Sequence, residues 1–163
     1  MKKKSTIAVI AVLAVLAIGV AMLAVLNGRE AAPKQQLRSD AVFLITVNET
    51  EHRVTMEDVE SLGPRKIEAN YKKSGKDPET RYYTGVPFAA VLRLKGIDAG
   101  GLRSAVFTAA DGYSSIISME DALNEENCFI VIDHSNEGPY RMILAQAQFS
   151  QHWCKLLTNI TLK

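Results

Sequence analysis

The side chains best suited to chemistry in this 163-residue chain stand beside turn-forming residues in its second half. Arg141 follows Gly138-Pro139-Tyr140 at the head of an apolar run, and Lys155 comes two residues after Trp153. A guanidinium presents a planar fork of donors that matches a phosphate or another oxyanion, and an ammonium adds a compact charge. Asp111 and Tyr113, on either side of Gly112, are further ligand candidates, with Trp153 as a candidate wall. Such a set is suited to holding an anion. The same residues also have plainer uses. Asp-Gly is a favoured hairpin turn, because glycine accepts positive φ and aspartate bonds back to its own backbone. Arg141 serves equally as a surface charge or as the partner of a buried carboxylate, and Trp153 as a core residue beside a solvated Lys155.

Four short motifs occur in order: Thr84-Gly85-Val86-Pro87, Asp111-Gly112-Tyr113, Gly138-Pro139-Tyr140-Arg141 and Trp153-Cys154-Lys155, ahead of the terminal run Leu157–Leu162. Each alone is ordinary turn chemistry. At these separations they resemble the oxidoreductase molybdopterin-binding domain, the central domain of sulfite oxidase-like enzymes, over Val42–Lys163. The resemblance implies an α+β fold with mixed β-sheets and short helices. It also implies a molybdopterin pocket to which Asp111, Tyr113, Arg141, Trp153 and Lys155 contribute.

Two departures stand against the enzyme chemistry. The family's molybdenum-binding cysteine lies upstream of Gly-Val-Pro, where this chain has Lys66–Lys73, with Ala69 in the thiolate's place. No cysteine precedes Cys128. Molybdenum favours a soft thiolate, for which Glu68, Asn70 and Tyr71 offer no ready substitute. The family also continues from its arginine strand into a Pro-Gly turn and a loop around the pterin, whereas Met142–Gln148 has no such turn. The expectation is a non-catalytic member, with no cofactor expected, that binds a small anionic ligand or a redox or transport partner. The alternatives are a molybdopterin-dependent oxidoreductase holding its cofactor through pterin contacts alone, and a structural interaction module.

Other chemistries find little support. His52, His134 and His152 lack the spacing of a metal site, and there is no Gly-rich phosphate loop or Gly-x-Ser-x-Gly elbow. Cys128 and Cys154 leave two readings open, a disulfide in an oxidising compartment or two buried thiols. Residues 41–163 carry 13 lysines and arginines against 16 aspartates and glutamates, a net of −3. That balance has no electrostatic footprint for nucleic acid.

These residues need a scaffold, and the patterning supplies one. Ala41–Val47, Arg65–Tyr71, Ala105–Ala109, Ser114–Ser118, Cys128–Asp133, Tyr140–Leu144 and Leu157–Leu162 read as strands. Met56–Leu62 reads as a helix behind a capping box at Thr55 and Asp58, and Pro87–Lys95 and Met119–Asn124 as further short helices. Asn48–His52 reads as a polar turn and Lys72–Glu79 as a charged loop. Ahead of the domain, Ile7–Leu26 is uncharged and as a helix would span roughly 30 Å, with Lys2, Lys3 and Lys4 before it. Residues 1–26 are therefore expected to form a cytoplasmic basic end and a transmembrane signal anchor, residues 27–40 a linker, and residues 41–163 an extracytoplasmic domain of a single-pass membrane protein. A cleaved signal peptide ending near Ala31 is the competing reading.

Overall fold

Alternate burial makes Val42–Val47 (β1) and Ser104–Ala109 (β5) one-sided strands, whereas Tyr140–Leu144 (β8) is buried at every position. This difference separates the two sheets of the domain. The computed structural model describes residues 42–133 and 139–163. The expected membrane anchor, the linker, Ala41 and residues 134–138 lie outside the described residues. Among the described residues no helix is long and apolar enough to cross a membrane.

The first sheet has five strands. They are Thr50–Thr55 (β2), β1, the terminal strand Leu157–Leu162 (β9), β5 and Ser114–Ser118 (β6), in the order β2-β1-β9-β5-β6. β1 and β9 run parallel and the other pairs antiparallel. The second sheet has the order β3-β4-β7-β8, from Arg65–Tyr71 (β3), Glu79–Pro87 (β4), Cys128–Ile132 (β7) and β8, all antiparallel. Helices Met56–Ser61 (α1), Phe88–Leu94 (α2) and Met119–Leu123 (α3) connect them, making an α+β domain of mixed sheets with short helices. Phe43 of β1 meets Tyr140 of β8 edge to face at 5.0 Å, and Phe88 of α2 meets Phe107 of β5 at 5.2 Å. These buried rings join both sheets in one core.

Local chemistry explains the boundaries. Thr55 Oγ1 accepts from the Asp58 amide and Asp58 Oδ2 accepts from the Thr55 amide, so the capping box starts α1. Lys95 then binds the same carboxylate at 2.6 Å and ties α1 to the end of α2. Two strands depart from the sequence reading. Asn48 and Glu49 both take positive φ, forming a two-residue hairpin turn that lets β2 begin at Thr50 inside the expected polar turn. The stretch Glu79–Pro87 is a strand because Glu79 to Gly85 pair with β3, and its charged first half is exposed because only its last residues reach β7.

Gly85 sets how closely those strands approach. A Cβ built there would lie 2.4 Å from the Ile130 carbonyl oxygen and 2.7 Å from Val131 Cα. The glycine of the Thr84–Pro87 motif therefore allows main chain to pack on main chain, and Pro87 follows as the cap of α2. Gly85→Ala should destabilise the domain by at least about 1–3 kcal/mol, because backbone must move to admit the methyl group. Urea denaturation of the variant beside the parent measures this, and equal midpoints would show that β4 and β7 can part without cost.

Candidate functional site

The second sheet is curled rather than flat. Its outer strands β3 and β8 are brought together where the Asn70 amide donates to the Ala145 carbonyl at 3.2 Å. The chain then continues past β3, where the Ser150 amide and hydroxyl both donate to the Lys72 carbonyl. A short 3-10 turn, Ser150–His152, leads to Trp153, and Cys154 forms a two-bond bridge with Met142 of β8. Trp153 is buried, donates from Nε1 to the Leu144 carbonyl, and packs against Tyr71 at 5.6 Å and Tyr83 at 5.5 Å. Leu156 next takes a φ of 51°, an unusual conformation for a branched residue, as the chain turns into β9.

In front of these rings lies a depression of about 690 Å³. Its lining includes Tyr71, Lys73, Thr80, Arg81, Tyr82, Tyr83, Asp133, Arg141 and Lys155, four cations and one carboxylate. Arg141 is 6% exposed, and its Nη2 donates to Asp133 Oδ2 at 2.5 Å, with both side chains nearly buried. Its guanidinium carbon also lies 5.8 Å from the centre of the Tyr83 ring. Arg81 is more open. Its guanidinium carbon lies 3.6 Å from the centre of the Tyr71 ring, and its Nε donates to Glu79. Partial burial disfavours the Arg81 charge, but bonds with Glu79 and Tyr83 outweigh it and hold its pKa above the ordinary guanidinium value. Lys73 also lines the site, its Nζ 5.7 Å from the centre of the same Tyr71 ring.

The structure thus brings together Arg141 and Lys155 on one depression, with Trp153 behind its aromatic wall. Asp111 and Tyr113 are not among its lining residues. Asp111 Oδ1 accepts from the Tyr113 amide across Gly112, whose φ is 87°, and so caps its own turn. Tyr113 Oη donates to the Gln151 carbonyl, and Ser115 Oγ to the His152 carbonyl. This turn props the segment that carries Trp153 and Lys155 without facing the depression. Lys73 and Arg81 were not singled out from the sequence. The signal for Arg81 is the register of the β3–β4 hairpin, which sets it directly across from Ala69.

Ala69 itself is 1% exposed. With Arg81 opposite it and the Asn70–Ala145 bond beside it, its methyl group is enclosed in the curled sheet. Among the described residues no group of three His, Cys, Asp or Glu could hold a metal ion. Cys128 and Cys154 are free and buried. Burial, then the charge of Asp111, pushes the Cys154 thiol up to about 12, and burial with the charge of Asp121 raises Cys128 as well. Neither thiol lies on the β3–β4 pair that carries Ala69. The donor set does not fit molybdenum.

No family model and no curated protein sequence matches the chain. Among solved structures, the fold is similar to part of the sulfane dehydrogenase SoxCD from Paracoccus pantotrophus, with a TM-score of 0.62 and 14% identity. The match covers 77% of this chain but 38% of that one. At that identity the likeness defines the fold, an α+β arrangement of mixed sheets, and the sulfane dehydrogenase is a distant structural neighbour.

The buried pair gives a direct test. Arg141→Met removes the cation from a nearly buried carboxylate and should cost about 3–5 kcal/mol in urea denaturation. Arg141→Met combined with Asp133→Leu should recover most of that loss. A single variant as stable as the parent would mean that the pair does not hold the floor of the depression.

Proposed function

We propose that this domain is a non-catalytic relative of the molybdopterin-binding domains its motifs resemble, and that it takes a small anionic ligand, or the acidic group of a redox or transport partner, into the depression around Arg81 and Lys155. The observation that carries the reading is a guanidinium set directly across the strand pair from Ala69, where the resemblance would put the family's metal ligand. The protein supplies positive charge of its own at this place. Arg81 is stacked on Tyr71 and held by Glu79, so part of its conformational freedom is lost before any ligand arrives. Lys73 adds a second cation near the same ring. Bidentate donation from Arg81 and a charge-assisted bond from Lys73 together suit an oxyanion.

The competing reading is a molybdopterin-dependent oxidoreductase that holds its cofactor without a cysteine, favoured by the likeness to a dehydrogenase fold. The donor set argues against it. Thermal unfolding of the full chain with added sulfate or phosphate separates the two. A saturating anion at about 100 times its Kd should stabilise the protein by about 2.7 kcal/mol. Lys73→Ala with Arg81→Ala should abolish that gain and shift the anion-free midpoint little, since exposed charges contribute about 0–1 kcal/mol each. Stabilisation by neither anion, or its survival in the double variant, would overturn the proposal. Near-stoichiometric molybdenum in the purified chain would favour the oxidoreductase.

We further propose that Ile7–Leu26 holds the chain in a membrane with the domain outside the cytoplasm, on the length of that run and the Lys2–Lys4 flank. Protease added to intact cells should then remove a C-terminal tag while the N-terminal part remains with the membrane. A protected tag, or a mature chain beginning near Ala31, would sink this reading.

A further inference from the structure

β6 is the outermost strand of the five-stranded sheet, and β5 is its only strand partner among the described residues. Edge strands in soluble proteins are commonly blunted by charge, proline, a bulge or a covering segment. The opposite edge, β2, carries Glu51 and Arg53. The outer strands of the second sheet are tied to each other through Asn70 and Ala145. Among the described residues β6 has neither protection. It reads Ser114-Ser115-Ile116-Ile117-Ser118, without charge or proline, and pairs with β5 in unbroken register from Thr108–Ser114 to Ser104–Ser118. Ser115 and Ile117 turn into the core, whereas Ile116 is 68% exposed between exposed Ser114 and Ser118.

We propose that β6 pairs antiparallel with β6 of a second copy of this chain, about a two-fold axis passing through Ile116. The outward side chains favour this occupant, because Ser-Ile-Ser reads the same in both directions. Pairing about Ile116 sets that residue against Ile116 of the second copy and Ser114 against its Ser118. Within the paired strand no charge is brought opposite a like charge, while Asp111 of one copy and Glu120 and Asp121 of the other lie past its ends. The contact is isologous, as a two-fold pair requires, and removes the exposed isoleucine from water. Only five residues pair on each side, so the association is reversible and rises with concentration.

Cysteine cross-linking of the full chain tests the register. Cα atoms directly opposed in an antiparallel pair lie about 4.5–5.5 Å apart, within the span of a disulfide. Ile116→Cys should therefore form a disulfide-linked dimer under mild oxidation at least about tenfold faster than Ser114→Cys, whose thiol faces Ser118 rather than itself. Cys128 and Cys154 are buried and stay out of the reaction. A mixture of Ser114→Cys and Ser118→Cys chains should cross-link to each other. In sedimentation velocity, Ile116→Lys should lower the dimer fraction of the otherwise native chain. Equal cross-linking rates for Ile116→Cys and Ser114→Cys would overturn the proposal. So would a parent chain that stays monomeric at every concentration, including one in which β6 captures an extended peptide of another protein.

Discussion

A buried backbone amide without a partner costs free energy comparable to a lost hydrogen bond, and much of the chain between β8 and β9 runs outside the regular strand ladders. It meets that demand by reaching across the open side of the second sheet. Ala145 accepts from Asn70, Ser150 donates to Lys72, and Cys154 exchanges two bonds with Met142. Those few bonds determine much else. They curl the sheet, enclose Ala69, press Trp153 between Tyr71 and Tyr83, and deliver Lys155 to the same depression as Arg141. The positive φ of Leu156 belongs to this path, since the chain turns there to enter β9 while Ala110 donates to the Leu156 carbonyl.

Four cations around one concavity repel one another, and each of the two arginines carries its own local compensation. Arg141 is set against Asp133 below the surface, and Arg81 is bonded to Glu79 and stacked on Tyr71. The aromatic faces help because their negative quadrupoles favour a guanidinium without introducing a full negative charge. The result is a site whose positive character is held by structure. Arg141 belongs to the floor, and Arg81, Lys73 and Lys155 are the exposed cations.

What could be read in advance was what the local code specifies. β6 and β8 follow from short β-rich runs between turns, and the Thr55–Asp58 box marks the start of α1 through its own bonds. β2 and the first half of β4 were hidden because their exposed, charged residues imitate loops, and only pairing with β1 or β3 reveals them as strands. The same limit applied to the site. Arg141 and Lys155 were legible through their neighbours in the sequence, but Arg81 is defined by a cross-strand partner. Asp111 and Tyr113 differ from these two in place: their bonds go to their own turn and to the Gln151 carbonyl, and neither lines that depression.

Residues 41–163 have a net charge of −3, yet four cations face the depression. The domain is therefore electrically lopsided, with a dipolar field whose sign depends on distance. For the anion proposed above, the domain's own net charge would repel at a distance and the depression would attract only on close approach. At physiological salt the screening length is about 8 Å, short enough to remove most of the distant repulsion while leaving contact attraction in place. Encounter with such an anion would then be slowest in very dilute electrolyte, quicken as screening sets in, and weaken again when salt competes at the surface itself. For the anion proposed above, approach with the depression foremost would be favoured over approach from another side, so orientation would become part of selectivity.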